Sequence, residues 1–173
     1  MKYQLKNVRL SFPSLFHKAK FEGAETKYEA TFLLDKEEHA DIIKQLQDGI
    51  AAKIKEDLKG AKLGPDKICL KDGDNIDYDG YEGKMSIKAS NGKRPLVINK
   101  DKSPITEDDN LVYAGCYVNA FVELWAQNNG YGKRINANLL GVQFAKNGEP
   151  FGEGGTKVSA DDFDEIEDED LPW

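Results

Sequence analysis

Residues 117 to 146 read YVNAFVELWAQNNGYGKRINANLLGVQFAK, and this stretch decides the fold. Apolar and polar residues alternate on both sides of a central NNGYG, which occupies positions 128 to 132. Alternation with a period of two predicts β-strands, and glycines between two such runs supply the positive φ angles of a tight return. The stretch therefore predicts a long antiparallel hairpin whose tip carries Tyr131, Lys133 and Arg134.

The first arm of this hairpin has two chemically different faces. One face is aliphatic, with Val118, Ala120, Val122, Leu124 and Ala126; the other carries Tyr117, Asn119, Phe121, Glu123 and Trp125. Two interpretations of the aromatic face stay open. It packs under a helix as core, or it is displayed so that nucleic-acid bases stack on it beside a positive groove.

The rest of the chain predicts one helix among short strands. In "KNVRLSF", residues 6 to 12, Val8, Leu10 and Phe12 alternate with Arg9 and Ser11, which predicts a half-buried strand with those three apolar residues on its inner face. Further strands are expected at 26–34, 68–71, 84–90 and 95–99. Residues 35 to 60 have helical apolar periodicity, with a capping-box spacing at Asp35 and Glu38 and a closing Gly60.

This order of elements predicts a mainly β (α+β) protein with one long inserted amphipathic helix. It permits an OB-fold-like Greek-key barrel, the commonest fold with this mix, and composition does not distinguish that barrel from other α+β barrels. We expect the barrel domain to span residues 1–151. Residues 152–160 then form a flexible linker, and residues 161–173 form a disordered acidic tail.

The charge is divided unevenly between these parts. The tail holds eight of the 31 acidic residues, so the remaining 23 are nearly balanced by 24 Lys and Arg. A polyanion tethered to a body with basic surface can compete for whatever that surface binds, and nucleic acid is the first candidate.

Several other chemistries have no support in the sequence. There are two histidines, two cysteines outside any CxxC pattern, and no P-loop or zinc motif. The acidic run "DGDNIDYDG", residues 72 to 80, places Asp77 where a calcium loop requires Gly. We therefore predict no enzymatic activity, no cofactor, no metal site and no membrane span, and both cysteines are expected to be core thiols.

Candidate DNA-binding residues combine aromatic rings with basic side chains. Tyr78 and Tyr81 stand in a predicted turn, and Lys84 and Lys88 point outward from the strand that follows, as a row of cations tracking a phosphate chain would. The remaining candidates are Arg9, Arg94, Tyr117, Trp125, Tyr131, Lys133 and Arg134.

Four segments resemble the single-stranded-DNA-binding proteins of tailed bacteriophages: "KNVRLSFPSLF", "YEATFLLDK", "YAGCYVNAFVELWAQ" and "LLGVQFAKNGEPFG". The end of the chain, Asp170, Leu171, Pro172 and Trp173, is similar to the acidic tails of bacterial single-strand-binding proteins, which end in Asp-Ile-Pro-Phe. The resemblance implies an OB-fold replication protein in the cytoplasm of the bacterial host that coats single strands during replication, recombination or repair.

By the same resemblance, the tail would dock partners such as a DNA polymerase, helicase or nuclease. A homodimer is left open. The alternatives are an acidic DNA mimic or protein-interaction module that binds no DNA, and an RNA-directed chaperone.

Overall fold

The computed structural model describes residues 2–151 and 160–166. The elements, in chain order, are β1 (Lys2–Ser14), β2 (Lys20–Phe21), β3 (Ala24–Glu25), β4 (Tyr28–Asp35), α1 (Ala40–Asp57), β5 (Leu70–Asp72), β6 (Lys84–Asn91), β7 (Leu96–Ile98), β8 (Tyr117–Asn129) and β9 (Gly132–Lys146). The predicted hairpin is β8–β9, which pairs from Tyr117↔Lys146 to Asn129↔Gly132. The small β2–β3 hairpin was not predicted.

Five strands close into a barrel in the order β1-β4-β6-β9-β8, and β8 pairs back to β1. All of these pairings are antiparallel except the parallel contact between β6 and β9, at Ser90↔Asn138, which closes the barrel. The predicted OB-fold barrel is thereby confirmed, and β4 and β6 are its second and third strands. No helix within residues 2–151 or 160–166 is long and apolar enough to cross a membrane.

Strand alternation places the core largely as predicted. Val118, Ala120, Val122 and Leu124 are buried, and on β6 the inner Ile87 and Ala89 are fully buried. The displayed face of β8 is the aromatic one, since Phe121 is 40% exposed and Tyr117 and Trp125 are half-buried.

The prediction for Phe12 is wrong. Val8 and Leu10 are fully buried, but Phe12 is 41% exposed and Ser11 is buried instead. The register of β1 against β4 shifts between Ser11 and Ser14, and Phe12 has a positive φ of 46°. A bulge and a left-handed residue together turn the ring out of the alternation.

Phe12 is one of two residues of β1 with a left-handed backbone, and the other is Asn7, whose φ is 53°. A positive φ is uncommon for a bulky residue, and such outliers cluster at ligand-binding sites. The exposed Phe12 ring is therefore a candidate functional group.

The helix follows β4 through a turn that the sequence predicted only in part. Asp35 Oδ1 accepts the backbone N–H of Glu37 and of Glu38, at 2.9 and 3.0 Å. Glu38 does not complete a capping box, because the Asp35 N–H donates to His39 Nδ1, at 2.8 Å, and α1 begins at Ala40. Gly60 has a φ of +74° and its N–H donates to Ile54 O, which closes the helix as expected.

Candidate nucleic-acid interface

A groove of about 620 Å³ crosses the outer face of β4 and β6. Its floor consists of short polar side chains that alternate with the core residues of these strands, namely Thr31, Ser86 and Ser90. Ile68, Cys69 and Lys71, around β5, and Arg134 and Asn136, on β9, form further walls. The second and third strands of an OB barrel, with the loop between its last two strands, are where such folds bind oligonucleotides.

Aromatic rings form one wall of the groove. The Phe12 and Tyr78 ring centroids are 5.2 Å apart, and those of Tyr78 and Tyr81 are 5.4 Å apart. Tyr78 is 56% exposed, whereas Tyr81 is 3% exposed and its hydroxyl is 2.7 Å from Ser11 Oγ. Phe12 and Tyr78 thus offer ring surface to a ligand, while Tyr81 supports them from within.

An ionic cluster holds one side of the loop that carries Tyr78, residues 73–83. The Lys36 ammonium contacts Asp72 Oδ1 at 2.8 Å and Asp74 Oδ2 at 2.7 Å. Asp74 also accepts the backbone N–H of Gly83, at 2.8 Å. Hydrogen bonds from Lys36 and from Gly83 lower the pKa values of Asp72 and Asp74 respectively, so both carboxylates are ionised at neutral pH.

A strap formed by residues 147–151 holds the other side of this loop. The Arg9 guanidinium lies 3.9 Å from the centre of the Phe151 ring and donates to the backbone oxygens of Gly115 and Glu149. Gly80 has a φ of +86°, and a Cβ there would overlap the Phe151 ring. Arg9 is therefore engaged by the strap, and the chain leaves the barrel beside the aromatic wall.

Three basic side chains of the described residues line the groove, and they differ in the protein groups that they contact. Lys88 Nζ lies 3.1 Å from Glu29 Oε2, and Arg134 Nη2 donates to Asp66 O at 2.9 Å. Lys71 is exposed on β5. These cations can contact a phosphate chain, with Lys88 shared between Glu29 and the ligand.

Cys69 is half-buried, since it packs against the core cluster and also lines the groove. Burial raises the pKa of its thiol to about 11, so the thiol is neutral at physiological pH. Cys116, by contrast, is fully buried, as the sequence analysis expected for both cysteines.

The structure brings together only some of the residues proposed from sequence. Tyr78, Tyr81, Lys88 and Arg134 line the groove. Lys84 is ion-paired with Asp35 at 2.8 Å, and Arg94 lies over the Phe16 ring. The other candidates outside the groove lining are Arg9, Tyr117, Trp125, Tyr131 and Lys133.

Several of the candidates outside the groove lining lie at the hairpin tip and along β8. Tyr131, at the hairpin tip, is 90% exposed, and Lys133 beside it is also exposed. Trp125 is opposite Asn136, a groove residue, in the β8–β9 register, and Tyr117 lies under the Lys146 ammonium. Asp170, Leu171, Pro172 and Trp173 lie outside the described residues.

Sequence reasoning missed Phe12 and Lys71. For Phe12, the signal available was the following Pro13, which interrupts the pairing of β1. Lys71 stands at the end of the predicted strand "ICLK" without any pattern that distinguishes it from other surface lysines.

No group of three or more metal-ligating side chains occurs within the part of the chain that the structure describes. The acidic run at 72–80 has a structural use, since two of its carboxylates bind Lys36.

A five-stranded OB barrel with an aromatic and cationic groove across its second and third strands defines the class of oligonucleotide-binding OB-fold proteins. The family described as "Enterobacter phage Enc34, ssDNA-binding protein" matches residues 1–172. The chain belongs to this family of phage single-stranded-DNA-binding proteins, which confirms the resemblance seen in the sequence.

Individual relatives agree with this assignment. The single-stranded DNA-binding protein from bacteriophage Enc34 in complex with ssDNA is similar, with a TM-score of 0.80 and 37% identity over 87% of this chain and 89% of that one. A second structure of the single-stranded DNA-binding protein from bacteriophage Enc34 has a TM-score of 0.79 and 36% identity over 93% of this chain and 88% of that one. "Putative protein p50" of Acyrthosiphon pisum secondary endosymbiont phage 1 is 41% identical over 99% of this chain and 98% of its own length.

Proposed function

We propose that this protein binds single-stranded DNA, largely without sequence preference, in the groove across β4 and β6. The observation that carries the proposal is the combination of the exposed Phe12 and Tyr78 rings with Lys71, Lys88 and Arg134 in one groove. The similar Enc34 protein whose structure contains ssDNA supports it.

The two kinds of side chain contribute differently to binding. Phosphate contacts release counterions and carry no base information, so the lysines and the arginine supply affinity for any sequence. Stacking adds about 1–3 kcal/mol per base and tolerates every base, since each has a π-face. A single OB-fold of this kind covers about 4–16 nucleotides.

The proposal is tested by comparing single-stranded DNA, duplex DNA and RNA of one sequence at one salt concentration. We expect the single-stranded DNA to bind most tightly. The slope of the logarithm of the binding constant against the logarithm of the salt concentration should be about −0.7 for each phosphate neutralised, with about three to six phosphates engaged. Lys71→Met should reduce the slope, whereas Lys55→Met on α1 should not. A slope near zero with unchanged affinity contradicts the electrostatic part of the proposal.

We further propose that the acidic tail competes with DNA and docks replication, recombination or repair proteins, such as a polymerase, helicase or nuclease. Its eight carboxylates can mimic a phosphate chain, and the strap at Phe151 starts the tail-bearing segment beside the aromatic wall. Among the described tail residues, Phe163 and Ile166 are 72% and 78% exposed.

Two variants separate these roles of the tail. Removing residues 161–173 should tighten DNA binding at low salt, and the gain should shrink as salt screens the charges. Trp173→Ala should leave DNA binding unchanged but remove one replication enzyme from those captured in pull-downs. Equal affinity of the truncated and full-length proteins at low salt contradicts competition, and identical captured proteins contradict docking through Trp173.

A further inference from the structure

The groove floor contains a carboxylate, which is unexpected in a surface for a polyanion. Glu29 lies on β4 between Ser14 of β1 and Ser90 of β6 in the strand register, and its side chain is 22% exposed. It is the only carboxylate among the described residues that line the groove.

The position of Glu29 affects where the phosphates and the bases of a bound DNA strand can lie. Glu29 Oε2 is ion-paired with Lys88 Nζ at 3.1 Å, and the other two cations of the groove lining, Lys71 on β5 and Arg134 on β9, lie on elements other than the one that carries Glu29. Since a carboxylate repels phosphate, we expect the backbone of a bound strand to lie toward Lys71 and Arg134. Phe12 lies between Ser11 and Ser14, whose partners on β4 are Thr31 and Glu29. We therefore expect a base stacked on the Phe12 and Tyr78 rings to lie beside this part of the floor.

The chemistry of the carboxylate then selects among base edges. An ionised carboxylate only accepts hydrogen bonds, through two oxygens. Guanine presents two adjacent donors, N1–H and the N2 amino group, on the Watson–Crick edge that single strands leave open. Thymine presents one donor between two carbonyl oxygens, and adenine and cytosine present an amino group beside an acceptor nitrogen.

We propose that Glu29 gives the groove a preference for guanine at one position, superimposed on otherwise sequence-independent binding. This inference rests on the proposed function, since it requires a DNA strand in the groove. The Ser86, Ser90 and Thr31 hydroxyls around it both donate and accept, so they leave neighbouring positions permissive.

The test compares a dT oligonucleotide with versions that carry one central dG, deoxyinosine or dA, in competition assays at fixed salt. For the full-length wild-type chain, we expect dG to improve binding about fivefold or more, the lower end for a bidentate base contact. Deoxyinosine lacks the N2 amino group and should fall between dG and dT. Adenine is the control for purine stacking and should gain less than dG.

Glu29→Gln should bind plain dT more tightly than the wild type, because a negative charge leaves the groove and Lys88 loses its ion-pair partner, and should lose the dG preference. Glu123→Gln, which removes the same charge from β8 outside the groove lining, should retain it. A wild-type chain that binds dT but does not distinguish dG, or a preference that survives Glu29→Gln, overturns this inference alone. Failure of the wild type to bind any single strand overturns the proposed function itself.

Discussion

Replacing Tyr78 by Ala tests the stacking surface most directly. The ring is 56% exposed and contacts two other rings, with centroids 5.2 and 5.4 Å away. Each aromatic pair contributes about 0.5–1.5 kcal/mol, so we expect a stability loss of about 1–3 kcal/mol and a folded protein at 25 °C. Loss of one stacked base costs about 1–3 kcal/mol of binding free energy, a rise in Kd of about 5- to 150-fold.

Fluorescence anisotropy with a labelled dT oligonucleotide of about 16 nucleotides, the upper end of OB-fold site sizes, measures this loss, and thermal unfolding measures stability in parallel. The matched control is Tyr131→Ala, because Tyr131 is 90% exposed at the hairpin tip and outside the groove lining. If Tyr78→Ala weakens binding no more than Tyr131→Ala does, base stacking on the Phe12 and Tyr78 wall is refuted.

Three further predictions concern the supports of the groove. Phe151→Ala should weaken DNA binding several-fold by freeing the loop at Gly80, and an affinity equal to the wild type would show that the strap does not position Tyr78. The folded-state pKa values of three carboxyl groups are lowered by hydrogen bonds, to Asp35 from Lys84, to Asp72 from Lys36 and to Asp74 from Gly83. The ionised carboxylates therefore stabilise the fold above about pH 4, the ordinary pKa of Asp, and this stabilisation is lost as the pH falls through the lowered folded-state pKa values. Unfolding measured against pH should show this loss, and Lys36→Met should reduce it. The Cys69 thiol, with its pKa raised to about 11, should react slowly with maleimide at pH 8 and more slowly with DNA bound, as peptide mapping by mass spectrometry would show.

Local patterns were sufficient for most of the barrel. The period-two alternation in β6 and β8 predicted most of the buried side chains, because neighbouring residues in a strand point to opposite faces, although Ser86, on the predicted outward face of β6, is only 4% exposed. The helical periodicity of residues 40–57 and the glycine-rich tip of β8–β9 are local signals of the same kind. The same alternation also predicted which β6 side chains lie on the outer face of the barrel, and these include Ser86 and Ser90 of the groove floor.

The groove itself depended on contacts between residues distant in sequence. Arg9 and Lys84 look like phosphate-binding cations in the sequence, yet the fold places Phe151 and Asp35 beside them. Tyr78 and Tyr81 are equivalent in the sequence, but the bond between Tyr81 and Ser11 buries one ring and leaves the other exposed.

The sequence by itself determined the strands, the helix and the division of charge between body and tail, because each depends on periodicity or composition within a segment. The resemblance of four segments to a known family pointed to the OB-fold family. Only the tertiary structure decided which rings and cations share the groove. Barrel closure brings β1, β4, β6 and β9 together, and a single bulge between Ser11 and Ser14 turns Phe12 from the core face to the groove. Those positions depend on pairing register, and no local pattern specifies the register between distant strands.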